Sequence, residues 1–126
     1  MKTFYAVKAL IVKDNKYLVV QTKDFIGGKY EVPGGRKKEG ETDETALKRE
    51  VLEEVSLQID IARLLNNWEL QIAEKDIHLI GKTYLCIAKD GEPKLSEEQL
   101  TFKWVLGEEL ETLDAPIWLK EAIKQL

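Results

Sequence analysis

The feature that most restricts the fold of this chain is one amphipathic helix pattern set between strand-like segments. From Thr42 onward, Leu47, Val51 and Val55 recur every four residues, which predicts a helix with a single buried stripe. Thr42 can cap its N-terminus, and the two acidic residues that follow suit the positive end of the helix dipole. Such a stripe must be buried against another element, and the neighbouring segments indicate that this element is a sheet.

Those neighbouring segments have the composition of strands, rich in Val, Ile, Leu and aromatic residues. The predicted strands are residues 4–12, 17–22, 57–70, 77–88 and 102–106. The sequence KDNK predicts a hairpin turn between the first two, and PGG at residues 33–35 predicts a sharp turn. Residues 116–126 predict a C-terminal amphipathic helix with Pro116 near its start. The predicted class is α/β or α+β, with a mixed sheet covered by helices.

Size and charge exclude several classes of protein. A chain of 126 residues predicts one domain, residues 1–126, and a net charge of -4 with a pI near 5.2 argues against a nucleic-acid or anionic-membrane surface. No segment approaches the roughly 20 apolar residues that span a membrane. Lys8 and Lys13 interrupt the first apolar run, so a strand pair fits it better than a targeting signal. The single Cys86 predicts a buried thiol, and the expected location is the cytoplasm.

Three carboxylates on one side of the predicted helix need a physical explanation. Glu50, Glu53 and Glu54 lie three and four residues apart, where like charges on a helix repel. They could form a solvated charge run in which Arg49 pairs with Glu53. Alternatively, a divalent cation such as Mg²⁺ could neutralise them, because it prefers oxygen ligands and commonly binds phosphates as well.

Residues 35–57, GRKKEGETDETALKREVLEEVSL, resemble the Nudix box, in which Gly, Glu and an Arg-Glu-apolar-x-Glu-Glu run stand at fixed spacing. The matching positions are Gly35, Glu41, Arg49, Glu50, Val51, Glu53, Glu54 and Leu57. Ser56 stands where the family has Gly, and a Gly there suits a helix end with positive φ. KYEVPGG resembles the entry to the box. LSEEQLTFKWV is similar to a late family segment, which aligns Glu98 with a family acid.

The resemblance implies the Nudix α/β/α sandwich and hydrolysis of a diphosphate linkage with Mg²⁺ or Mn²⁺. By position, metal ligands would be Glu50, Glu53, Glu54 and the Gly35 carbonyl, and the group that activates water would be Glu53 or, second, Glu98. Arg49 and Glu41 would hold the geometry of the loop and helix. Contacts to phosphate are expected from Lys23, Arg36 and Lys37, although Thr22 stands where many relatives have Arg.

The short chain resembles mutator-type nucleoside triphosphate pyrophosphohydrolases, which release pyrophosphate and a monophosphate. ADP-ribose or another nucleoside diphosphate sugar is the alternative substrate, and a nucleotide-sensing module without turnover is the alternative outside enzymes. A small-molecule nucleotide is the expected partner, without nucleic acid or membrane, and the chain is expected to be a monomer or a homodimer.

Overall fold

The computed structural model describes residues 1–22, 29–97 and 99–126. The strands are β1 (Lys2–Lys13), β2 (Lys16–Thr22), β3 (Gly34–Arg36), β4 (Ile59–Ile72), β5 (Ile77–Ala88) and β6 (Gln99–Leu106). The helices are α1 (Asp43–Val55), α2 (Gly107–Leu110) and α3 (Ile117–Ile123), and a single 3₁₀ turn, Ala73–Lys75, joins β4 to β5. In the part of the chain so described, no helix is long and apolar enough to cross a membrane.

All six strands belong to one sheet, in the order β4-β5-β1-β2-β6, with β3 paired to β1. β1 and β5 run parallel, whereas every other pairing is antiparallel. The β1–β2 connection is a tight hairpin whose turn residues, Asp14 and Asn15, have φ of 51° and 63°. Short polar side chains tolerate this left-handed conformation, which explains why KDNK forms the turn. The predicted mixed sheet is confirmed.

Helices cover both faces of the sheet, because successive side chains of a strand point to opposite sides. On one face, Val7 and Ile11 of β1 belong to the core cluster that includes the buried stripe of α1. On the other face, Leu10 of β1 belongs to a second cluster, with Leu110 of α2 and Leu119 of α3. The sheet therefore lies between two helical layers, and the predicted α/β/α sandwich is confirmed.

Helix α1 has the start, stripe and end that the sequence predicts. The Thr42 hydroxyl accepts a hydrogen bond from the Thr45 backbone N–H at 3.1 Å, and Leu47, Val51 and Val55 are fully buried. The helix ends at Ser56, whose φ is 59° and whose N–H donates to the Leu52 carbonyl at 3.0 Å. Ser56 thus occupies the left-handed position at which glycine is usual.

One local prediction was wrong, and another is confirmed over a shorter range. Residues 34–36 form strand β3 rather than a sharp turn, because they pair with β1 through Lys8 and Gly34. Gly34 has φ 151°, and a Cβ there would lie 2.1 Å from the Val7 carbonyl oxygen, so its glycine permits close approach to β1. The C-terminal helix is also shorter than the apolar pattern suggests, since it begins at Ile117 and ends at Ile123.

Candidate active site

The three carboxylates of α1 open onto one pocket at the C-terminal half of the helix. A pocket of about 330 Å³ is lined by Glu50, Glu53, Glu54, Ser96 and Glu97. Residues 94–96 reach the helix because the Lys94 N–H donates to the Val55 carbonyl at 2.8 Å and the Ser96 N–H to the Glu54 carbonyl at 3.0 Å. Four acidic side chains from two parts of the chain therefore border the same space.

Strand β3 closes tightly against the same carboxylates. A Cβ at Gly35 would lie 2.5 to 2.7 Å from the carboxyl atoms of Glu50, so any larger residue would require that side chain to move. The neighbouring Gly34 N–H donates to Glu54 at 3.3 Å. The two glycines bring peptide groups of β3 within reach of the carboxylates of α1.

Arg49 joins the loop before α1 to the helix. Its Nε and Nη2 donate to both oxygens of Glu41, each at 2.8 Å, and Nη2 also donates to the Arg36 carbonyl at 3.2 Å. Nη1 donates to Glu50 at 3.0 Å and to Glu53 at 3.4 Å. Hydrogen bonds from Arg49, and from the Lys38 N–H, lower the pKa of Glu41 to about 2. Arg49 therefore holds the loop against the helix and fixes the orientation of the Glu50 side chain.

Burial makes Glu54 the electrostatically unusual member of the group. Loss of water around its carboxylate raises the pKa of Glu54 to about 7, and the charges of Glu50 and Glu31 act in the same direction. The charge of Lys8 and the Gly34 N–H oppose this shift. Burial would lower the pKa of Lys8, but its ion pair with Glu31 outweighs that effect and the pKa is raised. A nearby positive charge would favour the ionised form of Glu54.

The carboxylates do not converge on one point as they stand. Among the described residues, no group of three Asp, Glu, His or Cys side chains is arranged so as to hold a metal ion. Glu50 and Glu53 contact Arg49, and Glu54 contacts the Gly34 N–H, so each accepts hydrogen bonds from the protein. The donor set nevertheless consists of oxygen atoms only, which fits a hard divalent cation such as Mg²⁺ or Mn²⁺.

Two of the residues predicted to contact phosphate, Arg36 and Lys37, have other partners and are not among the residues that line this pocket. The Arg36 guanidinium lies 4.1 Å from the centre of the Phe4 ring, and Lys37 Nζ lies 2.6 Å from Asp43. Asp43 also accepts a hydrogen bond from the Tyr84 hydroxyl at 2.5 Å. Lys23 and Glu98 lie outside the described residues.

Sequence reasoning missed Ser96 and Glu97, whose proximity to α1 arises from tertiary structure. The acidic pair at residues 97–98 was the only available signal for them. Sequence reasoning also assigned no role to Lys8 or Glu31, which form an ion pair with little exposure. Lys8 was visible as a charge interrupting an apolar strand. Cys86 is fully buried, as predicted, and burial raises the pKa of its thiol to about 12.

Comparison with known proteins identifies the family. A model of the NUDIX domain matches residues 2–126. Nucleoside triphosphatase NudI of Escherichia coli O17:K52:H18 is 27% identical over 128 residues, covering 91% of this chain and 90% of that protein. The crystal structure of a MutT NUDIX hydrolase from Burkholderia pseudomallei superposes with a TM-score of 0.87 at 26% identity, covering 100% of this chain and 99% of that one.

A similar fold also occurs in a relative with a different named activity. An ADP-ribose pyrophosphatase from Streptococcus suis has a TM-score of 0.69 at 22% identity, covering 98% of this chain and 86% of that one. At this identity the likeness shows the fold alone.

Nudix hydrolases generally need a divalent metal ion. The match over nearly the whole chain shows that this protein belongs to the NUDIX family of hydrolases.

Proposed function

We propose that this protein hydrolyses a nucleoside triphosphate to a nucleoside monophosphate and pyrophosphate, with a divalent cation bound at the carboxylates of α1. The observation that carries the proposal is the pocket in which Glu50, Glu53 and Glu54 face one space beside Gly35. The similarity to a nucleoside triphosphatase over 91% of the chain supports the choice of substrate.

The contacts of each residue in the pocket indicate its role in the proposed reaction. Glu50, Glu54 and the Gly35 carbonyl would hold the cation, and Arg49 would keep Glu50 in place through its contact at 3.0 Å. Bound there, the cation would screen the charge of the phosphates and acidify water. Mg²⁺ is the expected ion, and Mn²⁺ is the alternative.

Glu53 is suited to accept the proton of the attacking water. Its side chain is 56% exposed, against 16% for Glu50, so solvent reaches it most easily. Oxygen from water would form a bond to phosphorus as the bond to the leaving pyrophosphate breaks, and Glu53 would take the released proton. Glu98, which the sequence indicates as the second choice, and Glu97, which borders the pocket, are the alternative acceptors.

The test is a substrate panel with purified protein and Mg²⁺, in which nucleoside monophosphate, phosphate and pyrophosphate are measured separately, because cleavage of ADP-ribose or a nucleoside diphosphate sugar releases a monophosphate and a sugar phosphate. We expect the nucleoside triphosphates to yield pyrophosphate faster than ADP-ribose or a nucleoside diphosphate sugar is cleaved, and chelation to stop turnover. Preference for ADP-ribose would refute the substrate assignment but not the chemistry. Absence of turnover on every substrate would refute the enzymatic proposal and favour a nucleotide-sensing module.

A matched pair of variants on α1 tests the site. Glu53→Gln should lower kcat by about 10²-fold or more, as expected for loss of a catalytic acid–base or electrostatic group. Glu44→Gln is the control, because Glu44 is an exposed residue of the same helix that pairs with Lys48 at 3.8 Å. Similar activity of the two variants would contradict the assignment of Glu53.

We infer that residues 1–126 act as a single domain, because the two core clusters lie on either side of one continuous sheet. A monomer and a homodimer remain the expected states, and size-exclusion chromatography with light scattering would distinguish them. The predicted cytoplasmic location would be tested by cell fractionation.

A further inference from the structure

A network of side chains ties the start of α1 to strand β5 and to the loop before the helix. Asp43, the first residue of α1, accepts hydrogen bonds from Lys37 Nζ at 2.6 Å and from the Tyr84 hydroxyl at 2.5 Å. Lys82 Nζ lies 3.7 Å from the same carboxylate. Lys37 belongs to the loop, whereas Lys82 and Tyr84 belong to β5. Three segments of the chain therefore meet at one carboxylate, and we refer to Lys37, Asp43 and Tyr84 as the loop anchor.

The helix does not require Asp43 for its own start. Thr42 already caps α1 by accepting the hydrogen bond from the Thr45 N–H at 3.1 Å. Glu44 supplies a second negative charge in the same turn, and its side chain is 66% exposed, so it complements the helix dipole from the solvent side. The Asp43 side chain is only 22% exposed, and its partners lie outside the helix. These contacts indicate a role in holding other segments.

The ion pair of Lys37 and Asp43 closes the loop that contains Glu41. At one end of the loop, the Lys37 N–H donates to the Tyr5 carbonyl of β1 at 2.8 Å. Within it, the Glu41 N–H donates to the Lys38 carbonyl at 3.1 Å, which forms a turn. A loop whose ends are joined samples fewer conformations. The ion pair thus restricts the position of Glu41, which lies between its two members in the sequence.

Arg49 extends this restriction to the carboxylates of α1. It donates to both oxygens of Glu41, each at 2.8 Å, and to the carbonyl of Arg36, the neighbour of Lys37, at 3.2 Å. It also donates to Glu50 at 3.0 Å. The contacts form a continuous path from β5 to Glu50, in the order Tyr84, Asp43, Lys37, Glu41 and Arg49. A change at the start of this path should therefore alter the orientation of Glu50.

We propose that the loop anchor consists of positioning residues, which hold the loop so that Arg49 orients Glu50 for a divalent cation. This inference rests on the proposed function, because it takes the cation to bind at the carboxylates of α1. It gives Lys37 a contact within the protein in place of the contact to phosphate that the sequence predicts. Replacing a residue that orients a metal ligand typically lowers metal affinity or activity by about 10- to 100-fold.

The test measures cation binding without any nucleotide. Mn²⁺ binding to the purified protein would be followed by titration calorimetry and electron paramagnetic resonance, and its loss in Glu50→Gln would locate it at α1. Asp43→Ala and Lys37→Gln should each weaken Mn²⁺ binding by about tenfold, the lower end of the range for such residues. Tyr84→Phe keeps its ring packed on the core and loses one hydrogen bond, so it should weaken binding by about threefold.

Glu44→Ala is the matched control for Asp43→Ala. It removes a negative charge from the same turn of α1 and leaves the loop anchor intact, so it should bind Mn²⁺ as the unmodified protein does. Asp43→Ala and Lys37→Gln change the net charge in opposite directions, so a loss of affinity in both cannot arise from net charge. Circular dichroism and Tm would establish folding. If Asp43→Ala does not fold, Lys37→Gln and Tyr84→Phe decide.

The outcomes separate this inference from the proposed function. Equal Mn²⁺ affinity of Asp43→Ala and Glu44→Ala would overturn the inference and leave the proposed hydrolysis intact. The same holds if Lys37→Gln raises KM for the nucleotide without a change in Mn²⁺ affinity, because that result indicates a contact to phosphate. Weaker Mn²⁺ binding in Asp43→Ala, in a protein that hydrolyses no nucleotide, would support the inference and refute the proposed function. Absence of Mn²⁺ binding to the unmodified protein would overturn both.

Discussion

The two faces of the sheet differ in how their polar groups are assembled. The face covered by α1 presents Glu50, Glu53 and Glu54 from one turn and a half of helix, and they share a pocket. The face covered by α3 brings together Lys8, Glu31 and Trp118, which are far apart in sequence. The first arrangement follows from helical spacing, whereas the second requires the complete sheet. The carboxylates of the first face are therefore brought together by local sequence, whereas the contacts of the second face depend on tertiary structure.

The largest expected effect comes from a substitution that disturbs the carboxylates on the face of the sheet covered by α1. Gly35→Ala would place a Cβ within 2.7 Å of the Glu50 carboxyl group and displace that side chain from Arg49. We expect kcat/KM with a nucleoside triphosphate to fall by about 10²-fold, because a displacement of roughly 1 Å in an active site can cost that factor.

Circular dichroism and Tm would establish that the Gly35→Ala protein is folded before its rate is interpreted. Unchanged kcat/KM in a folded variant would show that the close contact between β3 and Glu50 is not required for activity.

The second effect tests the packing of the α3 face. Gly81→Ala would place a Cβ 2.2 Å from the Trp68 indole, so this ring, which is stacked on Trp118, would have to move. Overpacking of this kind should lower the free energy of unfolding by about 1–3 kcal/mol, measured by urea denaturation. Gly107→Ala is the matched control, because its Cβ would approach only Tyr17, at 3.8 Å. Equal stability of the two variants would contradict the tight packing of Trp68 on β5.

The third effect concerns charge on the α1 face in the absence of metal. Because the pKa of Glu54 in the folded protein is about 7, above its ordinary 4.5, ionising it costs stability. That cost is absent below about pH 4.5, grows between pH 4.5 and 7, and is complete above pH 7. Glu54→Gln should therefore stabilise the metal-free protein at pH 8 by on the order of 1 kcal/mol, and have little effect at pH 4.5.

Urea denaturation in chelator at the two pH values would measure this difference. Equal effects of Glu54→Gln on the free energy of unfolding at pH 4.5 and pH 8 would show that the pKa of Glu54 is not raised in the folded protein. Glu44→Gln again serves as the control, since Glu44 is exposed on the same helix.

The smallest effect concerns the end of α1. Ser56 has φ of 59°, a conformation that glycine adopts at no steric cost. Ser56→Gly should therefore be neutral or stabilise the protein by up to about 1 kcal/mol, with activity retained. A clear decrease in Tm would show that the serine side chain contributes an interaction that offsets the backbone strain.

The sequence alone determined the elements whose formation depends on near neighbours. Thr42 as cap, the stripe of α1 and the hairpin turn at Asp14 and Asn15 were all predicted, because each depends on residues within a few positions. The left-handed conformation of Ser56 was expected from the glycine that the Nudix box has at this position. The spacing of Glu50, Glu53 and Glu54 followed from the helix itself. These features needed no knowledge of the sheet.

Tertiary structure decided whatever depends on contacts between distant segments. The Gly34–Arg36 segment became a strand because β1 offers it a partner, although its sequence suggests a turn. Glu97 borders the carboxylate pocket through hydrogen bonds of its preceding segment to the end of α1. The pKa of Glu54 is raised because burial in the folded protein removes water from its carboxylate, and the charges of Glu50 and Glu31 act in the same direction. Burial and pairing across the sheet are properties of the assembled fold, and no local sequence pattern contains them.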